Sequence, residues 1–383
     1  RGEPPIYEPM LAEYLRRALE GNLFEATTEL TKAVRESEVI FISVGTPSKP
    51  DGSIDLGFVE QASRDIGRAI GSKESYLVVT VKSTVVPGTT EEVVIPLLER
   101  YSGKKAGADF GVCVNPEFLR EGQALSDFFN PDRVVIGELD KRSGDTLHQL
   151  YRDFECPILR TDLKTAEIIK YASNAFLATK ISFINEIGNI CKRLGVDVYE
   201  VARGMSLDRR ISPHFLNAGI GFGGSCFPKD LRALIARARE LGYEPKLLES
   251  VMSLNESQPL RLLDLLKKHL PDLRGRTIGI LGLAFKPGTD DIREAPSIRI
   301  VGELLREGAM VKAYDPKAMD NFRMIFPHLH YCERMEEVLD SDAILILTEW
   351  EEFRKLDYSG KVVIDGRKMD EARKARVYEG ICW

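Results

Sequence analysis

The 383-residue sequence has few cysteines and histidines, and it contains no long apolar run. The six cysteines are far apart, with no C-x-x-C pair and no cluster of histidines beside them, so we expect neither a disulfide framework nor a metal site. No run of apolar residues reaches membrane-span length, and no charged-then-apolar signal segment opens the sequence. These features predict a chain without a membrane partner, located in the cytoplasm. The cysteines are Cys113, Cys156, Cys191, Cys226, Cys332 and Cys382.

An excess of basic residues is also missing. The 53 lysines and arginines are outnumbered by 59 aspartates and glutamates, which gives a formal net charge of -6. Nucleic-acid binding needs a basic face, so we expect no nucleic-acid partner. What the sequence does have is apolar residues, at 43%, which is enough for two or three domains with cores of their own.

The first part of the chain alternates apolar runs with helical patterns. Glu38–Val44, Tyr76–Val81 and Val112–Asn115 are short, β-branched runs, typical of buried parallel strands, and Asp55–Ile70 has a helical pattern. A short amphipathic helix over Met10–Leu19 precedes them. This alternation predicts an α/β fold with a doubly wound sheet.

The middle of the chain has the three- and four-residue spacing of helices. We predict helices over Thr161–Leu194, Pro228–Glu240 and Pro245–Leu270, with no strand across about a hundred residues. The last predicted helix carries apolar side chains that suit core packing and a dimer interface equally well. These side chains are Leu247, Leu248, Val251, Met252 and Leu254.

A second α/β unit follows the helical region. Four apolar runs predict its strands, and Asp315 and Asp365 follow two of them at the carboxyl ends, where such sheets bind ligands. The runs are Thr277–Leu283, Met310–Tyr314, Ala343–Thr348 and Val362–Asp365.

A glycine-rich segment, Gly221–Asp230 (GFGGSCFPKD), carries the clearest chemical signal. Its glycines let the backbone approach a ligand, and Pro228 suits the first turn of a helix. Cys226 would then lie at a helix N-terminus, which favours the thiolate, with Asp230 one turn along the helix. The local sequence supports a catalytic nucleophile and a structural cysteine about equally.

Two other segments place charged or amide side chains one helical turn apart. Glu117 and Glu121 follow a strand and could act as acid and base, although an acidic cap on a helix is the commoner role. Lys170 and Asn174 could bind an oxyanion, or Lys170 could lie on the solvent face of its helix.

Taken together, eight ordered segments resemble the UDP-glucose/GDP-mannose dehydrogenase family. Within that family, NPEFLREG followed by NPDRVVIG is similar to the UDP-glucose branch. The segments are Ile42–Pro47, Lys82–Thr90, Asn115–Gly122, Asn130–Gly137, Lys170–Glu186, Gly221–Asp230, Leu281–Ser297 and Val362–Arg367.

The resemblance implies two Rossmann-like doubly wound domains joined by a helical middle domain. We expect an NAD-binding domain over residues 1–158, a helical dimerisation domain over 159–270 and a UDP-sugar-binding domain over 271–383. The family's opening strand and G-x-G-x-x-G turn are not in this sequence, so the first domain is expected to be incomplete at its N-terminus. We therefore expect a piece of a longer enzyme that binds the UDP-sugar but turns over little NAD; a full-length chain unable to hold NAD in the usual way is the alternative.

The resemblance also implies a reaction: the NAD-dependent, twofold oxidation of UDP-glucose to UDP-glucuronate through a thiohemiacetal and a thioester on Cys226. Alternatives are another nucleotide sugar as substrate, or a non-catalytic UDP-sugar-binding chain. The enzyme is expected to be a homodimer, with Arg210 reaching the neighbouring subunit's site.

Roles in this reaction are implied residue by residue. Catalytic residues would be Cys226, Lys170, Asn174, Asp230, Glu117 and Thr84. Substrate-binding residues would be Phe118, Leu119, Phe215, Asn217, Gly223, Lys286, Arg367 and Arg210. Cofactor-binding residues would be Val44, Thr46, Thr84, Glu121 and Arg293. Two departures from the family pattern are local: Ser212 stands where many relatives have glycine, and Lys368 where asparagine is common.

Overall fold

A computed structural model describes residues 2–383, and its contacts divide the chain into two compact units. The first unit comprises the chain up to Ser173 together with Arg232–Glu244, and the second comprises Asn174–Leu231 and Pro245–Trp383. The α/β class is confirmed, and the three predicted domain boundaries stay a prediction.

The first unit is built on a five-stranded sheet with strand order β1-β2-β3-β4-β5, in which only the β3–β4 pair is antiparallel. Its strands are β1 (Val39–Ile42), β2 (Val78–Val81), β3 (Gly111–Val114), β4 (Val134–Glu138) and β5 (Ile158–Thr161). Its helices are α1 (Leu11–Glu20), α2 (Leu30–Glu36), α3 (Gly57–Gly71), α4 (Ile95–Ser102), α5 (Ala124–Phe129) and α6 (Lys141–Tyr151), with a π-helical turn over Thr90–Val94.

Alternating side chains of β2 and β3 build the core of this unit on both faces of the sheet. Val79 and Val112 enter one apolar cluster with α3 and α4, whereas Val78 and Cys113 enter another with α6. Burial on both faces explains why these strands read as continuous apolar runs. Because β1, β2 and β3 are parallel, the loops that follow them lie at one edge of the sheet.

The second unit contains the helical region and a six-stranded parallel sheet, with strand order β11-β10-β9-β6-β7-β8. The strands are β6 (Thr277–Leu281), β7 (Met310–Tyr314), β8 (His330–Tyr331), β9 (Ala343–Ile346), β10 (Val362–Asp365) and β11 (Val377–Gly380). The helices, of which α7 and α9 also run into the first unit, are α7 (Leu163–Leu194), α8 (Val198–Ser206), α9 (Phe227–Glu240), α10 (Lys246–Ser257), α11 (Leu260–His269), α12 (Pro296–Arg306) and α13 (Met319–Ile325).

The helical prediction over Pro245–Leu270 is confirmed, but the structure divides this stretch into two helices, α10 and α11. Pro259 follows the end of α10, and proline has no N–H to continue the hydrogen-bond ladder. Val251 and Met252 are buried, whereas Leu247 is exposed, so core packing accounts for part of this apolar pattern.

Between β5 and β6 the described chain forms helices and no strand, as predicted. Within residues 2–383, none of the helices is both long enough and apolar enough to cross a membrane.

Candidate active site

Cys226 directly precedes helix α9 in the second unit. Its carbonyl accepts the hydrogen bond of the Asp230 amide at 2.8 Å, which is the first bond of the helix, so Cys226 occupies the N-cap position. The residue is exposed, while most of the other cysteines are buried. The thiol therefore lies where a reactant can reach it and where the helix dipole favours negative charge.

The glycine loop before Cys226 is held tightly against other parts of the second unit. Gly224 has φ +84°, its amide donates to the Arg293 carbonyl at 2.8 Å, and a Cβ there would lie 2.9 Å from the Phe285 ring. A Cβ on Gly223 would lie 2.5 Å from the Glu294 carbonyl oxygen. These two positions require glycine, the first for its backbone angle and both for the close approach.

Asn255 of α10 fixes the start of the glycine loop, and the sequence patterns gave no sign of it. Its side-chain oxygen accepts from the Phe222 amide at 2.8 Å, and its nitrogen donates to the Phe222 carbonyl at 3.0 Å. A polar side chain among apolar neighbours of a helix is the only signal that could have indicated this role.

Asn174 and Asp230 form a buried pair in the second unit. The Asn174 Nδ2 donates to the Asp230 Oδ2 at 2.7 Å, and Lys229 Nζ lies 2.6 Å from Oδ1 of the same carboxylate. Asp230 is 1% exposed and Asn174 is 7% exposed. The carboxylate is thus one helical turn from Cys226, with a donor bound to each oxygen.

Lys170 and Glu117 form an ion pair in the first unit, with Lys170 Nζ 2.8 Å from Glu117 Oε1. Lys170 is 4% exposed, so it does not lie on a solvent face. Helix α7 carries Lys170 and Asn174 one turn apart, as predicted from their spacing.

The segment that carries Glu117 is not helical, which corrects the prediction of two glutamates one helical turn apart. The next helix, α5, begins only at Ala124, and residues 115–120 have no regular secondary structure. Glu8 provides the acidic cap instead, since its carboxylate accepts from the amides of Gly122 and Ala124, both at 2.8 Å.

Hydroxyl groups join the loops after β1 and β2 in the first unit. The Thr46 side chain donates to the Thr84 carbonyl at 3.0 Å, and the Ser83 side chain donates to the Val44 carbonyl at 2.6 Å. Hydroxyls and carbonyls at the carboxyl edge of a parallel sheet offer the hydrogen-bond donors and acceptors that suit the ribose and carboxamide of a dinucleotide. These residues therefore fit a bound NAD.

Phe118, a predicted substrate residue of the first unit, has two cationic side chains near its ring. The Phe118 ring has the Arg133 guanidinium 3.8 Å from its centroid and the Lys170 ammonium 5.5 Å away. The neighbouring Leu119 is 36% exposed.

In the second unit, Phe285 is the residue on which three predicted groups converge, although the sequence did not single it out. Gly224 packs on its ring, Lys286 Nζ lies 5.5 Å from the ring centroid, and Arg367 donates to its carbonyl at 3.1 Å. A second bond, from Arg367 Nε to the Leu347 carbonyl, fixes that guanidinium.

The other predicted residues of the second unit are more peripheral. The Phe215 ring lies 6.2 Å from the Phe227 ring, and Asn217 is exposed. Arg210 pairs with Asp208 and its side chain is 84% exposed, while the exposed Arg293 side chain pairs with Asp291.

Both departures from the family pattern have left-handed backbone. Ser212 has φ 65° and Lys368 has φ 60°. Glycine and asparagine tolerate this region best. Lys368 has compensating contacts, an ion pair with Asp197 at 2.7 Å and a position over the Tyr199 ring.

One group among the described residues has metal-ligand chemistry that the sequence reading overlooked. Ligand atoms of His330, Cys332 and Glu337 lie within 4.8 Å of one another. Arg334 lies 3.8 Å from the Glu337 carboxylate, and its positive charge opposes a cation there, so we assign no ion to this group. The expectation of no metal stays a prediction.

Comparison with known proteins places this geometry in a family. Three models of the UDP-glucose/GDP-mannose dehydrogenase family match the chain: the NAD binding domain over residues 1–155, the central domain over 164–257 and the UDP binding domain over 279–371.

Individual relatives cover nearly the whole chain. A UDP-glucose 6-dehydrogenase of Haloferax volcanii is 44% identical over 99% of this chain and 90% of its own length. A GDP-mannose 6-dehydrogenase of Pseudomonas aeruginosa is 41% identical over 100% of this chain and 91% of its own. The structure of a UDP-glucose dehydrogenase from Pyrobaculum islandicum matches with a TM-score of 0.96 and 47% identity, covering 100% of this chain and 88% of that one. The chain is thus an NAD-dependent oxidoreductase, and it belongs to the UDP-glucose/GDP-mannose dehydrogenase family.

Proposed function

We propose that this enzyme oxidises UDP-glucose twice, to UDP-glucuronate, and that Cys226 carries the sugar as a thioester between the second oxidation and hydrolysis. The observation that carries the proposal is the exposed Cys226 at the N-terminus of α9. One helical turn away is the buried Asp230 carboxylate, each oxygen of which accepts a hydrogen bond. Each oxidation would transfer one hydride to NAD⁺, so two NAD⁺ would be consumed for each UDP-glucuronate formed.

The covalent step follows from the position of the thiol. The Cys226 thiolate attacks the aldehyde at carbon six, forming the S–C bond while the carbonyl electron pair moves to oxygen. We assign Asn174 and Lys170 to that oxygen, because an amide and a buried ammonium are the donors that an oxyanion needs. Asp230, with Asn174 and Lys229 bound to its two oxygens, holds a fixed negative charge near the step.

Hydrolysis of the thioester requires water and a base. Water adds to the thioester carbon, the C–S bond breaks, and the Cys226 thiol is regenerated as the carboxylate product leaves. We assign Glu117 as the base that accepts a proton from this water, because its carboxylate is oriented by Lys170 and by the Leu119 amide. Thr84 would help to hold the water.

The sugar nucleotide and the cofactor are assigned to different loops. We propose that Phe118, Leu119, Phe215, Asn217, Gly223, Lys286 and Arg367 bind the UDP-sugar, because the fixed cations and close backbone of this set suit a diphosphate and a hexose. We propose that Val44, Thr46, Thr84, Glu121 and Arg293 bind NAD.

UDP-glucose is favoured over GDP-mannose by the match of the last domain to a UDP binding domain and by the UDP-glucose 6-dehydrogenases among the relatives. The test measures NADH formation with UDP-glucose, UDP-galactose, UDP-N-acetylglucosamine and GDP-mannose. We expect kcat/KM for UDP-glucose to exceed each of the others by at least about tenfold. A higher value for GDP-mannose would overturn the assignment of the substrate.

The covalent role is tested by Cys226→Ser, with Cys191→Ser as the matched control, because Cys191 is buried in the core of the same unit. We expect the Cys226 variant to lose UDP-glucuronate formation by about a thousandfold or more, and the control to keep it. Intact-mass measurement under substrate should show a sugar-nucleotide adduct on the wild-type chain alone. Near-normal product from Cys226→Ser would overturn the thioester.

We also propose a homodimer in which Arg210 completes the partner's site. Its side chain is 84% exposed, and α7 presents exposed apolar residues at seven-residue spacing, Phe176, Phe183 and Ile190. When equal amounts of the Arg210→Ala and Cys226→Ser chains are mixed and refolded, about half of the dimers contain one chain of each kind. Each mixed dimer has one intact site, so about a quarter of all sites should be active. No regained activity from dimers shown to be mixed would contradict the exchange of Arg210.

A further inference from the structure

Lys82 is a half-buried lysine in the first unit that has no assigned role. It follows β2 directly, and its Nζ donates to the Asn115 Oδ1 at 2.8 Å and to the Tyr151 Oη at 3.5 Å. The Tyr151 hydroxyl donates to the same Asn115 oxygen at 2.5 Å, and the Asn115 nitrogen donates to the Val135 carbonyl at 2.8 Å. One buried amide is thereby joined to β2, β4 and α6, at the point where the chain leaves β3.

This network lies at the base of the segment that carries Glu117. Glu117 comes two residues after Asn115, so the bonds that anchor Asn115 restrict the backbone that leads to Glu117. The charges that act on Lys82 are Glu117, which attracts it, and Lys170 from α7, which repels it. Tyr151, the titratable group from α6, has a pKa raised by burial to about 12 and stays neutral in the working range. Glu117 is therefore influenced by two ammonium groups, and only one of them is its direct partner.

We propose that Lys82 is a positioning residue for Glu117: its ammonium holds Asn115 in place and adds a second positive charge that orients the Glu117 carboxylate for thioester hydrolysis. The inference rests on the proposed function, because Glu117 has this task only if a thioester forms. Lys82 touches neither the thiol nor the substrate in this scheme and acts through Asn115 and Glu117.

The charge on Lys82 is lost within an accessible range of pH. Burial lowers the pKa of Lys82 to about 8; Glu117 opposes this shift and Lys170 adds to it. The cation is present below this value and disappears as the pH rises through it. The rate of hydrolysis should therefore fall on the alkaline side with a midpoint near 8.

The test compares Lys82→Arg and Lys82→Met with the wild-type chain from pH 6 to 10, measuring kcat and the fraction of enzyme held as thioester by intact mass. Arginine stays charged throughout, so the alkaline fall should move above pH 9 in Lys82→Arg. In Lys82→Met we expect kcat about tenfold lower at pH 7, no alkaline fall near 8, and thioester accumulation. The control is Lys73→Met, another buried lysine of the same unit, which donates to the Arg35 carbonyl and should leave the pH profile unchanged.

An alkaline fall at the same pH in Lys82→Arg as in the wild type would overturn the role of Lys82, even if Lys82→Met does not fold. Failure of the proposed function has a different signature: Cys226→Ser keeps its activity, and no thioester is seen on any variant. If the thioester forms normally but the pH dependence of kcat does not change with the charge at position 82, only the role of Lys82 is refuted.

Discussion

Glu167 offers a sharp test of how the loop after β2 is held. This α7 residue is 2% exposed and accepts three hydrogen bonds, from the Gly88 amide at 2.6 Å and from the Thr90 amide and hydroxyl at 2.9 and 2.6 Å. Burial raises the pKa of Glu167, and the donors on Thr90 and Gly88 oppose that rise. The Glu167 carboxyl group therefore anchors the end of the loop that also carries Thr84.

The cost of removing this side chain can be worked from those three bonds. Each buried donor left without a partner costs about 1–3 kcal/mol, and some of the three will be reached by water. Glu167→Ala should thus destabilise the loop by about 3–5 kcal/mol. Glu167→Gln keeps one acceptor oxygen and has no charge to desolvate, so about 1–3 kcal/mol is expected.

Hydrogen exchange followed by mass spectrometry measures the effect locally, which suits a chain of two units that need not unfold together. A loss of 3 kcal/mol should speed exchange at Gly88 and Thr90 by about a hundredfold. Glu91→Ala is the matched control, because Glu91 directly follows Thr90 but pairs with Lys164 at the surface, where ion pairs contribute little to stability. Equal exchange in the Glu167→Ala and Glu91→Ala variants would refute the reasoning.

Three further predictions concern the glycine loop and its thiol. Gly224→Ala should lower the stability of the second unit by at least about 1 kcal/mol more than Gly275→Ala in thermal unfolding, since both glycines lie in that unit with positive φ but only the first would meet another residue within 4 Å. Asn255→Ala should cost about 1–3 kcal/mol by the same measurement and should raise KM for the sugar nucleotide in steady-state kinetics, because both bonds to the loop are lost. Iodoacetamide should label Cys226 well before the buried Cys382 in peptide mapping, and preferential labelling of Cys382 would contradict the exposed position of the nucleophile.

The parts of the fold that could be predicted from sequence are those whose pattern is strong over a local window. Strands β2 and β3 are buried on both faces, and β1 ends shortly before Gly45 and Pro47, so their apolar runs were evident. Strands β4 and β5 were missed: Val134–Glu138 pairs antiparallel with β3, a partner that no local pattern specifies, and no residue of Ile158–Thr161 is fully buried. The break between α10 and α11 was missed although Pro259 indicated it, because the apolar spacing continues through the proline.

The candidate site likewise has features that local spacing predicts and contacts that it cannot predict. Spacing of four residues on α7 correctly placed Lys170 and Asn174 on successive turns, but it could not show that Lys170 is buried against Glu117. The features of the site that local spacing could not predict depend on contacts between residues far apart in the sequence. Glu8 caps α5 from more than a hundred residues away, and Asn255 and Phe285 hold the glycine loop without belonging to it.

The left-handed backbone at Ser212 and Lys368 bears on how this protein could change. At Lys368 the ion pair with Asp197 and the contact with the Tyr199 ring offset part of the free-energy cost of left-handed backbone. A glycine there would remove that backbone cost but would also lose both contacts. At Ser212 a glycine would simply relax the chain, by about 1 kcal/mol. Position 212 is thus a reserve of stability that one codon change could release, enough to tolerate an otherwise harmful substitution while a new sugar preference is selected.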